Sequence, residues 1–419
     1  MLKFIHTADI HLDSPLRGLE AHDDAPVAEI RGATRRAFDA LIDLAIDEAV
    51  AFIIIAGDLY DGDWKDYNTG LYFVGRMGRL AKAGIKVFIV SGNHDAASQI
   101  TKAMPLPENV TILSARKPQS VKLEEWGVVI HGQSYSLRAV TDNLAAQYPK
   151  SEPGSVNIGL LHTSLTGREG HEAYAPCTVG ELQAKGYDYW ALGHVHQREI
   201  VALEPWIVFP GNIQGRHIRE EGAKGVTMVT IEEGRIVEVQ ERPLDVLRWA
   251  RCQVDVSGCD SIESVYTAVR QGLVRERDRA DGRTLAVRLV LSGSCSVHGR
   301  LLARAAQWTE EFRGIATGFG DMWLEQVRFQ TSRKVQLEEI LGDDTPLAAM
   351  LQTVHNLELG GDSLFTLVPE LAILKSKLPP EIDSDEETFL DPSPQKNAEL
   401  RNEVRELLIA RLLLHGGTE

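Results

Sequence analysis

Five short apolar runs, each followed by a small group of polar residues, constrain the fold of this chain more than any other feature. Apolar runs of this length bounded by glycine are typical of buried β-strands. The polar groups that follow them are Asp9-x-His11, Gly57-Asp58-x-x-Asp61, Gly92-Asn93-His94-Asp95, His162 and Gly193-His194-x-His196. We therefore expect an α/β protein in which five strand ends release side chains into one site.

The residue types in these groups are ligands for divalent metal ions. Carboxylates suit hard ions and imidazoles suit borderline ones, so the mixed set favours Mn²⁺, with Fe²⁺ or Zn²⁺ next, over Mg²⁺ or Ca²⁺. If two ions lie roughly 3.5–4 Å apart, one carboxylate must bridge them, and Asp58 is the candidate. We expect glycines 57, 92 and 193 to let the backbone turn sharply beside the ions. Such a centre activates water and binds a phosphate ester, so the sequence predicts phosphoester hydrolysis.

The same stretches resemble the calcineurin-like metallophosphoesterase superfamily, and within it the SbcD-type DNA repair nucleases, especially the bacterial YhaO-like branch. The stretches that carry the resemblance are FIHTADIHLDSP, IIIAGDLYDG, VSGNHD, IGLLHTSL, DYWALGHVHQRE and FPGNIQGRHIREEGAKG. The first five define the superfamily, and the last one, with the long C-terminal part, indicates the nucleases. The resemblance implies a two-sheet, αββα-type sandwich with a small α/β capping domain and a helical C-terminal segment.

The resemblance also implies a role for each polar residue. One metal ion would be held by Asp9, His11, Asp58 and His196. The other would be held by Asp58, Asn93, His162 and His194. His94 would bind no metal; it would face the scissile phosphate and protonate the leaving oxygen or stabilise the transition state, with Asp95 orienting it. Asp61 stands where some relatives place a second histidine, so we expect substrate handling to differ there.

Net charge is the main argument against a DNA substrate. The chain carries 44 Lys and Arg against 60 Asp and Glu, a net charge of −16, whereas phosphate contacts need Lys and Arg. Basic residues nevertheless gather in the loops around the metal motifs, and a partner could supply the larger DNA-binding groove. The candidate substrate-binding residues are Arg17, Arg198, Arg216 and His217. For each of them, simple exposure to solvent is the alternative interpretation.

Length and pattern predict several segments, because 419 residues suffice for two or three domains. We expect a catalytic domain over 1–242, an α/β capping domain over 245–332, a helical segment over 336–378, an acidic, proline-containing linker over 379–394 and an amphipathic helix over 395–415. That last helix either packs on its own domain or docks onto a partner. By resemblance, the partner is an SMC-like coiled-coil ATPase.

Cellular location follows from what the sequence lacks. No apolar run reaches membrane length, no signal peptide is visible, and the four cysteines form no C-x-x-C pair. We therefore expect a cytoplasmic protein with reduced thiols and no membrane association.

Together these patterns predict a dinuclear-metal-dependent DNA nuclease, exonuclease or endonuclease, acting with an SMC-like ATPase in double-strand break repair. The resemblance also implies a homodimer, for which the helix predicted over Trp64–Lys82 is the candidate interface. One alternative is a phosphatase or cyclic nucleotide phosphodiesterase with the same catalytic domain, although such enzymes commonly lack the segments after residue 245. The other is a catalytically inactive scaffold, against which the complete metal set argues.

Overall fold

The structure is a computed structural model that describes residues 1–14, 32–61, 67–97, 105–166, 174–333, 345–355, 370, 373 and 394–415. The chain divides into two compact units. Unit 1 comprises Met1–Arg251, Arg277–Val287 and Asp321–Glu325, and unit 2 comprises Cys252–Glu276, Arg288–Gly320 and the described part of Gln326–Glu419. The domain boundaries predicted from the sequence remain predictions.

Unit 1 is built on two six-stranded sheets. The first sheet has the order β12-β11-β1-β2-β3-β4. Its strands are β1 (Leu2–Thr7), β2 (Phe52–Ala56), β3 (Lys86–Val90), β4 (Val110–Ile112), β11 (Gly225–Glu232) and β12 (Arg235–Pro243). The second sheet has the order β5-β6-β7-β8-β10-β9. Its strands are β5 (Gln119–Leu123), β6 (Val128–Gly132), β7 (Val156–His162), β8 (Tyr189–Gly193), β9 (Glu199–Leu203) and β10 (Trp206–Phe209).

The central strands of both sheets are buried on both faces because they are apolar throughout. In β2, Phe52, Ile54 and Ala56 face the second sheet and contribute to the core between the sheets, while Ile53 and Ile55 pack against helices on the outer face. The second sheet has its own outer core, which includes Trp190 and Leu192 of β8. Continuous apolar runs are what parallel strands covered on both sides require.

The longer helices α1 (Ala33–Asp47) and α2 (Tyr67–Lys82) lie on the outer face of the first sheet, and the short α4 (Val179–Gln183) packs in the outer core of the second. The single-turn α3 (Asn93–Ala97) directly follows β3, and short 3₁₀ turns lie at Glu124–Trp126 and Leu144–Gln147. α1 and α2 present apolar stripes, with Phe38, Leu41, Phe73 and Met77 buried against the first sheet. The order of layers is helix, sheet, sheet, helix, so the predicted αββα-type sandwich is confirmed.

Strand direction brings the five predicted strand ends together in two neighbouring groups. β1, β2 and β3 are parallel neighbours in the first sheet, and β7 and β8 are parallel neighbours in the second. The two sheets share one core through these strands. Since the carboxyl ends of parallel strands meet at one edge of a sheet, loops from both sheets converge there.

A third sheet has the order β13-β14-β15, and its strands are β13 (Leu247–Asp255), β14 (Thr284–Cys295) and β15 (Met322–Arg333). The helices of this part of the chain are α5 (Ile262–Arg279), α6 (His298–Ala303), α7 (Ala305–Thr317), α8 (Pro346–His355) and α9 (Pro394–His415). Strand and helix alternate from β13 to β15, as expected for the α/β segment that follows the catalytic domain.

The C-terminal helix α9 contacts α6 and α8 of its own unit. Glu406 of α9 lies 3.6 Å from Nε2 of His298 and 3.8 Å from Nη2 of Arg333, and Ile409 is fully buried. The interpretation in which the helix packs on its own domain therefore accounts for one of its faces. No helix in the described ranges combines the length and the apolar composition needed to cross a lipid bilayer.

Candidate dinuclear metal centre

The strand ends place the predicted ligands in adjoining loops. Asp9 and His11 follow β1, Asp58 follows β2, His162 is the last residue of β7 and His194 follows β8. Asn93 is the first residue of α3, just after β3. Backbone hydrogen bonds join the first two loops, because the amide of Asp9 donates to the Gly57 carbonyl at 3.0 Å and that of His11 to the Asp58 carbonyl at 3.0 Å.

Four of the predicted ligands have strained backbones. The φ angles are 49° at Asp9, 45° at His11, 52° at Asp58 and 102° at His194. Residues other than glycine rarely adopt positive φ, and each such residue costs of order 1–3 kcal/mol. These residues lie together at one set of strand ends. Their strained backbone conformation therefore serves to position the side chains and does not favour local stability.

Two glycines in the same loops leave room for the ligands. Gly57 has φ of +93°, and a Cβ there would collide with the ring of His162. A Cβ at Gly92 would lie 2.9 Å from both the amide nitrogen of Asp58 and Cε1 of His162. Each position therefore requires glycine because the neighbouring polar side chain approaches the backbone too closely for any other residue.

Buried His162 presents a lone pair to two oxygens. Its Nδ1 donates to the Ala56 carbonyl at 2.9 Å, which leaves Nε2 unprotonated in the neutral ring. Nε2 lies 2.9 Å from Oδ1 of Asn93 and 3.5 Å from Oδ2 of Asp58. Three electron-pair donors that face one another without a proton between them repel, and a cation among them removes that repulsion. The donor set therefore fits a divalent metal ion.

A second group of donors faces inward beside the first. Nε2 of His11 and Nε2 of His196 are 3.3 Å apart. Nε2 of His196 is 3.8 Å from Oδ1 of Asp9, and Nε2 of His11 is 4.0 Å from Oδ2 of Asp58. This arrangement also fits a cation, because imidazole nitrogens and carboxylate oxygens converge on one point.

Asp58 is common to both groups of donors. Donor atoms within 4.8 Å of one another form three sets: Asp9, His11 and His196; His11, Asp58 and His94; and Asp58, His162 and His194. The backbone amide of His94 donates to Oδ1 of Asp58 at 3.0 Å. The structure thus brings together all seven residues named from the sequence as metal ligands, with Asp58 between the two groups.

Burial makes the centre unfavourable without a cation. Burial, reinforced by the charge of Asp58, raises the pKa of Asp9 well above its ordinary value. Burial and the same neighbouring charge raise the pKa of Asp95 to about 7. Burial lowers the pKa of His11 and of His162, which favours the neutral ring that binds metals. Divalent ions would compensate the buried carboxylates and leave these histidines in the form they already adopt.

The structure corrects one predicted contact of His94. Nδ1 of His94 lies 2.9 Å from Oδ1 of Asp61, so Asp61 rather than Asp95 orients the ring. Asp95 instead accepts hydrogen bonds from the backbone amides of Tyr60 at 2.9 Å and Gly92 at 3.0 Å. The prediction that Asp95 orients His94 is therefore wrong, because the amides of Tyr60, in the loop after β2, and of Gly92, just before α3, already occupy its carboxylate.

Sequence reasoning missed Glu220. Its Oε1 lies 2.7 Å from Nδ1 of His196, and its side chain is 4% exposed. Burial alone would raise the pKa of Glu220, but Arg216 and His196 hold it well below its ordinary value. Glu220 lies within the stretch FPGNIQGRHIREEGAKG, which distinguished the nucleases, and that membership was the only available signal.

The predicted substrate-binding residues have varied surroundings. Arg216 forms hydrogen bonds with Glu220 through its backbone amide at 2.8 Å and Nη2 at 2.8 Å. Arg198 is paired with Glu241 at 3.8 Å, and Nε2 of the exposed His217 lies 3.7 Å from Glu220. Arg17 lies outside the described residues. Arg216 and His217 are therefore near the centre, with Arg216 engaged by Glu220.

Comparison with known families gives two matches along the chain. The family described as calcineurin-like phosphoesterase matches residues 2–198. The family described as metallophosphoesterase YhaO, middle domain, matches residues 249–332. The first match includes every predicted metal ligand.

Two individual proteins are also similar to this chain. An uncharacterized metallophosphoesterase YhaO of Bacillus subtilis is 38% identical over 297 residues, which cover 70% of this chain and 72% of that protein. The DNA double-strand break repair protein Mre11 of Sulfurisphaera tokodaii is 27% identical over 259 residues, 58% of this chain and 63% of that protein, so under two thirds of its length is matched.

A solved structure of a dimetal phosphatase from Danio rerio aligns with a TM-score of 0.36 and 11% identity, covering 58% of this chain and 96% of that one. Similarity at this level supports no conclusion. The family match over the catalytic half and the similarity to YhaO are enough: the chain belongs to the calcineurin-like metallophosphoesterase family, whose members hydrolyse phosphoesters with the help of metal ions.

Proposed function

We propose that this chain is a dinuclear-metal-dependent nuclease that hydrolyses the phosphodiester bonds of DNA, with Mn²⁺ as its metal. The observation that carries the proposal is the convergence of seven donor side chains on two adjoining points around Asp58. The similarity to Mre11, which is named for DNA double-strand break repair, supports DNA as the phosphoester in this proposal.

The donor sets divide the centre between two ions. Asp9, His11, Asp58 and His196 would hold one ion. Asp58, Asn93, His162 and His194 would hold the other. When bound, such a pair of ions lowers the pKa of a water molecule and neutralises charge on a phosphate ester. The backbone amide of His194 donates to Asp9 at 2.9 Å and that of His94 to Asp58 at 3.0 Å, so both carboxylates are fixed before any ion arrives.

His94 is the catalytic acid in this proposal. Its ring lies edge-on to that of His11, with centroids 4.9 Å apart, and 31% of its side chain is exposed. Because Nδ1 is bound to Asp61, Nε2 is the nitrogen that can donate a proton to the leaving oxygen. A well-placed acid of this kind contributes roughly 10²–10⁴-fold to the rate.

In this proposal, binding partners account for how an acidic chain acts on a DNA substrate. Val404 and Leu408 of α9, one turn apart, are each 41% exposed although other residues of the helix are buried, which suits docking of an SMC-like coiled-coil ATPase. Tyr67 and Leu71, one turn apart on α2, are 63% and 61% exposed and suit a homodimer interface. The four cysteines are free and buried, which suits a cytoplasmic location.

The test is cleavage of labelled linear duplex DNA by the metal-stripped full chain after addition of Mn²⁺. We expect cleavage by the wild type and by Asp43→Asn, whose carboxylate is exposed and forms a surface ion pair with Arg79. We expect none from Asp58→Asn. Equal cleavage by the two variants would place the reaction elsewhere or in a contaminant.

Assays with other phosphoesters distinguish a nuclease from a phosphatase or a cyclic nucleotide phosphodiesterase. The same preparations are assayed with a phosphate monoester and with a cyclic nucleotide. A higher kcat/KM for either small molecule than for DNA would replace the nuclease proposal by a phosphatase or a cyclic nucleotide phosphodiesterase. Inactivity on every substrate, with metal bound, would indicate a scaffold.

A further inference from the structure

The buried carboxylate of Glu220 distinguishes His196 from His162. His162 is oriented by a backbone carbonyl, that of Ala56 at 2.9 Å, whereas His196 is oriented by a side chain 24 residues further along the chain. Metal-binding histidines commonly donate their second ring nitrogen to a carboxylate, which fixes the ring and makes it a stronger ligand.

The geometry determines which nitrogen of His196 is available. Nδ1 is 2.7 Å from Oε1 of Glu220 and 3.1 Å from Nη2 of Arg216. The shorter contact is to the carboxylate, which can only accept, so the ring donates its proton to Glu220. Nε2 then carries the lone pair, and it is Nε2 that faces His11 at 3.3 Å and Asp9 at 3.8 Å. Without the carboxylate, the proton could move to Nε2 and the ring could turn, because 29% of the His196 side chain is exposed.

Glu220 is itself held by donors of Arg216 and Asn212. Its Oε2 accepts from the backbone amide of Arg216 at 2.8 Å and from Nδ2 of Asn212 at 2.8 Å. Its Oε1 accepts from Nη2 of Arg216 at 2.8 Å. These bonds leave the carboxylate one orientation, in which Oε1 points at His196.

The loop that carries Glu220 is attached to the first residues of β13. Oε1 of Gln214 accepts from the amide of Val246 at 2.9 Å, and the indole of Trp249 donates to the Gly215 carbonyl at 3.0 Å. The amide of Gly222 donates to the Trp249 carbonyl at 3.0 Å. The position of Glu220 is therefore fixed both by the hydrogen bonds to its carboxylate and by the attachment of its loop to β13.

We infer that Glu220 is a positioning residue that acts through His196 and sets the affinity of one of the two metal positions, the one formed by Asp9, His11, Asp58 and His196. The inference rests on the proposed ligand set. We expect the other metal position not to depend on Glu220, because His162, one of its two histidines, is held by the backbone carbonyl of Ala56.

The experiment is titration of the metal-stripped full chain with Mn²⁺, with free Mn²⁺ measured by electron paramagnetic resonance. We expect two ions per chain in the wild type. In Glu220→Gln, which preserves the size of the side chain, we expect one ion to bind as before and the other about 10–100-fold more weakly. Unchanged affinity for both ions in this variant, with two bound in the wild type, overturns the inference and leaves the proposed function standing.

A matched control separates positioning from stability. Asp245 is another buried carboxylate held by guanidinium groups, those of Arg248 at 2.8 Å and Arg283 at 3.2 Å, and it has no histidine partner. Asp245→Asn should lower thermal stability and keep both metal affinities. A similar loss of one ion in this control would show that Glu220 acts only by stabilising the fold.

A double-mutant cycle tests whether Glu220 acts through His196. In a His196→Ala background, Glu220→Gln should cause no further loss of metal affinity. A further tenfold loss in that background would contradict action through the ring. A wild-type chain that binds no Mn²⁺ at all would overturn the proposed function together with this inference.

Discussion

The two metal positions of the centre are built in different ways. The inner side is the position formed by Asp58, Asn93, His162 and His194, and the outer side is the one formed by Asp9, His11, Asp58 and His196. On the inner side, His162 is fully buried and held by the backbone of β2, and Asn93 begins a helix directly after β3. On the outer side, His196 is partly exposed and depends on Glu220, a side chain in a separate loop. The inner side is therefore a consequence of how the sheets form, whereas the outer side also depends on a hydrogen-bond network that one substitution can alter.

Asp58 belongs to both sides, so its loss should have the largest effect. Asp58→Asn replaces the carboxylate between the two donor groups by an uncharged amide, which has one oxygen where the carboxylate has two. We expect both metal ions to be lost or displaced and hydrolysis to fall by at least about 10⁴-fold, more than removal of a single catalytic acid. Metal analysis of the purified variant measures this. Two ions per chain at wild-type affinity would show that another residue bridges them.

His94 tests whether catalysis can be separated from metal binding. The residue lies within ligand distance of His11 and Asp58 but was assigned to proton donation. We expect His94→Ala to retain both ions and to lose roughly 10²–10⁴-fold in kcat. The comparison requires kcat at saturating Mn²⁺ together with the metal content. Loss of an ion would make His94 a ligand and would extend the inner side of the centre by one residue.

The inner side could be predicted from the sequence because its geometry is local. Each ligand follows an apolar run directly, and parallel strands bring their carboxyl ends together without further information. The two-sheet fold could be predicted for the same reason, since runs such as Phe52–Ala56 admit only a strand covered on both faces.

The ligands of the outer side could also be predicted, but the hydrogen bonds that orient His196 could not, because they join residues distant in sequence. No spacing rule relates Glu220 to His196 across 24 positions, and a Glu between Arg219 and Glu221 has the composition of an ordinary loop. Asp61 and Asp95 illustrate the same limit, because Asp95 is next to His94 in the sequence and Asp61 lies in a different motif, yet only the coordinates show that Asp61 faces the ring.

Gly57 offers a test of the inner side through backbone geometry. Gly57→Ala would place a Cβ against the His162 ring at a position with φ of +93°. Strain from positive φ costs about 1–2 kcal/mol and overpacking about 1–3 kcal/mol, so we expect stability to fall by about 3 kcal/mol and the Asn93–His162 position to lose its ion first. Chemical denaturation and Mn²⁺ titration measure both effects.

Gly84→Ala is the matched control for Gly57→Ala. Gly84 has φ of +76°, but no atom lies within 4 Å of the Cβ it would gain. Only the strain of positive φ applies, so we expect a loss of about 1–2 kcal/mol with unchanged metal binding. Equal losses for the two variants would show that the His162 ring moves aside easily and that the inner side is less rigid than its hydrogen bonds indicate.

Asp61 should give the smallest effect of the four, because its hydrogen bond is to the partly exposed ring of His94, whereas Nδ1 of the proposed ligand His11 is 3.8 Å away, too far for a hydrogen bond. Asp61→Asn weakens the 2.9 Å contact to Nδ1 of His94, and we expect kcat to fall about tenfold, the equivalent of one hydrogen bond to a charged group, with KM and metal content unchanged. Asp95→Asn should instead lower stability by about 1–3 kcal/mol, because it removes an acceptor from two buried amides. If Asp95→Asn lowered kcat without lowering stability while Asp61→Asn had no effect, the ring would be oriented by Asp95 in solution, as the sequence motif predicted.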